Sequence, residues 1–328
     1  MAHALRYTEV PERLRHADRM SPRVLVATAR RALSLLAAGR PSPNEDGDVE
    51  MLGEVRAIHR FVEAPGDGDR IRWHFVEAGH GEPIVFLHGL PDSWFCWHRQ
   101  IEDLSRDHRV VAIDLKGYGQ SQKTPGDYRH EGVAEQLVAL FDVLGLDRVN
   151  LVTHDRGSVL GDWVGASHPA RIRRYVRGQQ HLYHFHPALA PQEAIFLDPI
   201  RGQILRLPAL LVAAAYTELC RHLVATSDLM RTVREFSHPG VGAAVARYYQ
   251  SSSFRKEWID RRTRLISSWR FPVLVLQGEH DPRQPREFYE GIEGTMPDGT
   301  VAFLDAGHFF VLERPADTTR AIRDFLAR

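Results

Sequence analysis

The sequence predicts an α/β fold, a doubly wound and mostly parallel sheet with an inserted helical cap, and three observations predict it. From Arg56 onward, short β-rich runs alternate with helical patterns, the rhythm of strands joined by crossover helices. PIVFLHG, RVVAIDL, RVNLVTH, PVLVLQG and TVAFLDA are continuous apolar runs that close on polar or glycine residues, as strands covered on both faces do. Between about His181 and Trp269 the rhythm stops, and proline, aromatic and histidine residues mix with helical stretches.

Residues 1–50 form an extension that carries eight arginines against three acids in its first forty positions. Its stretch Pro22 to Gly39 is amphipathic, and a polar linker follows at Pro41 to Asp48. A helix packed on the body is the expected form, with contact to another copy or a membrane surface, or organellar targeting, as alternatives. The linker and the lack of an uninterrupted apolar segment argue against a secretory signal. Residues 51–180 are the first part of the core. Arg70 to Glu77 alternates like a half-exposed edge strand, and helical patterns lie at about Ser93 to Leu104, Glu131 to Leu144 and Ser158 to Ser167. Residues 181–269 are the cap, placed after the sixth core strand, where it can cover the carboxyl ends of the parallel strands. Residues 270–328 complete the core, with helical patterns at Pro285 to Gly294 and Pro315 to Ala327.

The chain has 328 residues, with 42 lysines and arginines balanced by 42 aspartates and glutamates. Such a balance offers no net field for nucleic acid or an anionic membrane, so the expected partner is a small, largely uncharged substrate. Self-association is left open. Cys96 and Cys220 are too few for a disulfide framework and are expected to be buried free thiols, which suits the cytoplasm. No apolar run is long enough to span a bilayer, so the chain is expected to be soluble.

The sharpest motif is Thr153-His154-Asp155-Arg156-Gly157, a strand running straight into a helical pattern. A sharp strand-to-helix turn presents its central residue as a nucleophile, and here that residue is Asp155. The alternative is a plain helix-capping aspartate. Two later segments favour the nucleophile. Asp281 follows PVLVLQG and His308 follows TVAFLDAG, in the order nucleophile, acid, histidine. His88-Gly89-Leu90-Pro91 follows PIVFLHG, so the backbone amides of Leu90 and Arg156 are candidates for an oxyanion hole.

These motifs identify a resemblance. His88 to Trp97 (HGLPDSWFCW), Asp114 to Ser121 (DLKGYGQS), HDRG at His154 to Gly157, and the terminal GEHDP and AGHFFVLERP segments resemble the epoxide hydrolase and dehalogenase branch of the α/β-hydrolases, across about residues 55–328. The resemblance implies an aspartate nucleophile and two cap tyrosines that protonate the departing oxygen. Tyr249 matches the second tyrosine; the first position falls on Gln203, which leaves Tyr183 or Tyr216 as substitutes. Asp-Arg-Gly at the elbow resembles fluoroacetate dehalogenases, where the arginine helps hold a substrate carboxylate. Val159 stands where those enzymes carry a second arginine. Those enzymes also place the acid after the sixth strand, where this chain has Gln179, so Asp281 is the expected acid.

The expected pocket includes His88, Pro91, Trp94, His154, Tyr183, His184 and Tyr216, with Trp94 either in the core or in the pocket wall. The histidines at 181, 184 and 186 have the closeness of metal ligands but no carboxylate or cysteine at a supporting spacing. No metal or other cofactor is expected. The favoured activity is hydrolysis of an epoxide to a diol through an alkyl-enzyme ester. The alternatives are a dehalogenase working by the same covalent route, another hydrolytic or ring-forming reaction, and a non-catalytic ligand-binding protein of the same fold.

Overall fold

The computed structural model describes residues 21–182, 191–251 and 264–328. Its strands are β1 (Val49–Leu52), β2 (Val55–Pro65), β3 (Arg70–Ala78), β4 (Glu82–Leu87), β5 (His108–Ile113), β6 (Val149–His154), β7 (Ile172–Gly178), β8 (Val273–Gly278) and β9 (Thr300–Leu304). They form one sheet in the order β1-β2-β3-β5-β4-β6-β7-β8-β9. β1, β2, β3 and β5 pair antiparallel in turn, and the run from β5 through β4 to β9 is parallel. The crossing from β5 back to β4 and out to β6 reverses the direction of winding. Open α/β sheets bind ligands at such a switch point.

Helices α2 (His98–Leu104), α3 (His130–Val143), α4 (Arg156–Ser167) and α9 (Pro315–Leu326) cover the sheet. Two apolar clusters result, one around Val85, Ile113 and Leu151, the other around Phe86, Ala112 and Val152. Successive residues of one strand therefore feed opposite cores, which is why β4, β5, β6 and β8 read as unbroken apolar runs. Between β7 and β8 come α5 (Gln192–Phe196), α6 (Pro208–Glu218), α7 (Thr226–Phe236) and α8 (Val241–Ser251). The N-terminal helix α1 (Pro22–Leu35) is capped by Ser21 Oγ and packs on α6, where Arg31 donates to Thr217 Oγ1 at 3.1 Å. Leu35 and Ala38 sit in the second core.

Three sequence expectations need correction. β3 is not an edge strand: it lies between β2 and β5, and Trp73, Phe75 and Val76 are buried. The β1–β2 hairpin takes the edge, and Arg56, His59, Arg60 and Glu63 interrupt the apolar pattern of β2. Pro285 to Gly294 is no helix but two tight turns, Arg286–Phe288 and Glu293–Thr295. Pro285 stands just ahead of the first turn and Gly291, at φ +76°, separates the two. Cys96 is buried as expected, whereas Cys220 is half-buried; both are free. Among the described residues no helix is long and apolar enough to cross a membrane.

Candidate active site

Asp155 is the single residue between β6 and α4. Its backbone sits at φ +50° and ψ −116°, a conformation that costs a residue with a side chain about 1–3 kcal/mol. The Asp155 N–H donates to Gly178 O at 3.1 Å, which ties the turn to the end of β7. Two glycines let the neighbouring loops close on it. A Cβ on Gly157 would lie 2.3 Å from Leu87 O, and one on Gly89 would lie 2.3 Å from Asp155 Cβ. The glycines of HGLP and HDRG are thus demanded by one close approach.

The three polar side chains singled out from the sequence come together at the carboxyl ends of β6, β8 and β9. His308 Nδ1 lies 2.7 Å from Asp281 Oδ2 and its Nε2 lies 3.6 Å from Asp155 Oδ2. Asp155 Oδ1 accepts the Leu90 N–H at 3.0 Å. The Arg156 amide occupies the first turn of α4, where no intrahelical carbonyl is available to it. One carboxylate oxygen is therefore held by the Leu90 amide and the other faces the histidine.

Burial raises the pKa of Asp155, but the contact and charge of His308, with His154 and the Leu90 amide, outweigh it and hold the carboxyl well below its ordinary range. Burial likewise opposes the His308 imidazolium, yet Asp281 and Asp155 push it up to about 10. These shifts favour an ion triplet, a protonated His308 between the Asp155 and Asp281 carboxylates. Asp281 is itself gripped: Gln179 Nε2 donates to its Oδ2 at 2.5 Å and the Arg283 N–H donates to Oδ1 at 2.7 Å. Gln179 adopts φ +48° at the end of β7 and also accepts the Gly278 N–H, so it holds the acid rather than replacing it.

Several expected pocket residues lie elsewhere. His88 is buried, donates from Nδ1 to Gly89 O and accepts the Leu115 N–H at Nε2, so it braces the loop beneath the cavity. Trp94 is fully buried in the second core, its backbone N–H donating to Asp114 Oδ1 at 3.0 Å. Burial and the His308 charge push His154 down to about 4. It donates from Nε2 to His308 O at 2.8 Å, behind the triplet. Tyr216 stacks on Phe309 and donates to Asp92 Oδ1 at 2.7 Å, inside the core. A polar or aromatic ring near a strand end or on a cap helix does not reveal in sequence which way it faces, and these four face inward. Tyr183 and His184 lie outside the described residues.

The cavity beside Asp155 has a volume of about 170 Å³. Leu90, Pro91, Arg156, Tyr249 and His308 line it as the sequence suggested, joined by Val159, Ile204, Leu211, Ala215 and Phe309 as an apolar wall. Gln180, His181, Glu218, Arg283 and Gln284 bring polar groups that sequence reasoning missed. Phe309, Arg283 and Gln284 follow His308 and Asp281 so closely that their positions alone were a usable signal. The Arg156 guanidinium is spoken for: Nε donates to Tyr118 Oη at 3.0 Å, Nη1 lies 3.1 Å from His130 Nε2, and the group sits 4.6 and 4.7 Å from the rings of Tyr248 and Tyr249. It braces the tyrosines of α8. Burial raises the pKa of Tyr249 well above the ordinary phenol, against the pull of Arg156.

Comparison with known proteins gives a consistent result. A family model described as alpha/beta hydrolase fold matches residues 82–315. Bifunctional epoxide hydrolase 2 of Sus scrofa is 24% identical over 301 residues, which cover 78% of this chain and 53% of that protein, so the chain spans about half the length of that relative. Epoxide hydrolase 3 of Xenopus tropicalis is 26% identical over 324 residues, covering 89% of this chain and 84% of the relative. The haloalkane dehalogenase DatA of Agrobacterium tumefaciens C58 superposes with a TM-score of 0.70 at 24% identity, covering 82% of this chain and 97% of that one.

Proposed function

This chain belongs to the alpha/beta hydrolase fold family, and from that premise we propose that it hydrolyses a small epoxide to a diol through an ester on Asp155. The observation that carries the reading is the division of labour at the carboxylate: Oδ1 rests on the Leu90 amide while Oδ2 faces His308. The epoxide hydrolases among its relatives favour the epoxide over other substrates of the same apparatus. A cavity of about 170 Å³ is close to the ~150 Å³ that encloses a benzene ring, so the substrate is a compact, mostly apolar epoxide.

In the first step Asp155 Oδ2 bonds to an epoxide carbon, the C–O bond breaks, and Tyr249 protonates the departing oxygen. Alkylation removes one of the two carboxylate charges that hold the His308 proton. That proton restores the Tyr249 phenolate, and His308 becomes a free base. Oriented by Asp281, it then takes a proton from water, whose oxygen attacks Cγ of Asp155. The amides of Leu90 and Arg156 hold the oxyanion on Oδ1. Collapse expels the diol oxygen, which takes the acid proton from the new carboxyl group, and the ion triplet is restored.

Two measurements follow from these steps. Tyr249→Phe lowers kcat/KM for epoxides by about 10²–10⁴-fold and leaves turnover of any accepted alkyl halide nearly unchanged, because halide departure needs no proton. Equal losses on both substrate types would remove Tyr249 from the proton-donor role. Asp155→Asn takes away a charge that helps push His308 up to about 10, so imidazole NMR should find the His308 pKa lower in the variant. An unchanged value would mean that the two side chains are not coupled. The same apparatus could open a carbon–halogen bond, and a mixed panel of epoxides and organohalides separates the two activities. A chain that turned over nothing would be a binding protein instead.

A further inference from the structure

Behind the loop that carries Leu90 runs a line of charged side chains that the proposed chemistry does not use. His59 on β2 and His74 on β3 are fully buried, with ring centroids 5.2 Å and ring planes 18° apart. His59 Nδ1 lies 2.9 Å from His74 Nε2, His74 Nδ1 lies 2.6 Å from Asp114 Oδ2, and His59 Nε2 lies 3.3 Å from Glu50 Oε2. Each of these three contacts needs one proton between its heavy atoms, whereas two neutral imidazoles carry two.

The carboxylates do not supply the third. Arg231 of α7 donates to both oxygens of Glu50 at 2.9 Å. Against the effect of burial, His59 and Arg231 hold Glu50 down to about 2. Asp114 also accepts the Trp94 and Gln120 amides. Against its burial, His74 keeps it below the ordinary carboxylate range. We propose that His59 and His74 share one extra proton as a buried cation, and that this cation latches cap helix α7 to the loop behind the oxyanion hole. It goes beyond the epoxide reading and holds equally for any substrate.

Charges alternate along the line: Arg231 on α7, Glu50 on β1, the imidazole pair, then Asp114 beyond β5. The last carboxylate grips the Trp94 amide, three residues past Pro91 of the oxyanion loop. At the other end Arg231 also binds Glu235 at 2.6 Å and lies over the Trp94 and Phe95 rings. Among the described residues the other charged or titratable neighbours are His88 and Lys123 beside Asp114, Arg72, which stacks on Phe61 above His74, and, against α7 itself, His98 at 4.0 Å from Asp228 and His238 at 3.6 Å from Glu235. If the pair loses its extra proton, one carboxylate must face an imidazole lone pair. The line breaks at one point, which weakens the polar part of the hold on α7, while its Leu229, Val233 and Phe236 stay packed in the apolar clusters.

Burial pushes the Lys123 ammonium down to about 8, so its own titration can mimic the switch. The test is therefore a pair of measurements on the full chain and on Lys123→Met. Imidazole 15N spectra of wild-type protein near neutral pH should find three N–H groups across His59 and His74. One N–H on each ring would overturn the shared cation. Hydrogen exchange of residues 226–236, corrected for the intrinsic pH effect, should quicken about tenfold as the pair loses its third proton, and the same step should remain in Lys123→Met. Exchange that does not change through that titration, a step that vanishes in Lys123→Met, or a pair that keeps its proton until the protein unfolds would each overturn the latch.

Discussion

Asp155→Asn abolishes turnover, by about 10⁴-fold or more, while the protein stays folded. The substitution keeps the shape of the side chain, so the elbow, the Gly157 contact with the Leu87 carbonyl and the Gly89 contact with Asp155 are retained. What it removes is the negative oxygen that attacks in the proposed mechanism. An amide oxygen is a far poorer nucleophile, and the amide leaves His308 facing a neutral group in place of a carboxylate 3.6 Å away. Steady-state rates on freshly made protein, with circular dichroism to check the fold, measure the effect. Full activity in that protein would defeat the assignment of Asp155 as nucleophile.

The second large effect is expected at His308, and it differs in kind. His308→Gln should leave alkylation possible and block hydrolysis, lowering kcat by about 10²–10⁴-fold and leaving one substrate bound per chain. Glutamine cannot take a proton from water, but Leu90 N still holds Oδ1 and Tyr249 still lines the cavity. Intact-protein mass spectrometry reads the outcome. A gain equal to a whole epoxide, mapped to Asp155, supports epoxide opening; a gain equal to an organohalide less hydrogen halide supports dehalogenation. A variant that cycled at the wild-type rate with no adduct would remove His308 from the hydrolytic step.

The contrast between what the sequence disclosed and what it hid has a physical basis. Asp155, Asp281 and His308 were legible because each follows a strand whose two faces are buried, and such strands announce themselves as apolar runs with a polar residue just past the end. β7 was not named among the apolar runs because three of its seven residues, Arg173, Arg174 and Arg177, interrupt the pattern. Arg177 is buried nonetheless, because Asp162 of α4 neutralises it at 2.8 Å. The pocket was misjudged where a polar ring faces inward. His88, His154 and Tyr216 each bond to a partner far along the chain, at Leu115, His308 and Asp92. Local sequence carries no mark of such distant partners. Glu218 was missed for the same reason, since α6 and the loop after β8 meet only in the folded chain, whereas Arg283 and Gln284 stand close enough to Asp281 to have been found.

The covalent step on Asp155 is the central claim, and a single turnover in 18O-water tests it most directly. Enzyme in excess over the fastest epoxide of the panel would be quenched after one cycle, digested, and the peptide holding Asp155 weighed beside the diol. Water that attacks Cγ leaves its oxygen in the carboxylate, so the account predicts label on Asp155 and an unlabelled diol. Label in the diol with none on Asp155 would mean that water attacks the epoxide directly, and the nucleophile assignment would fall.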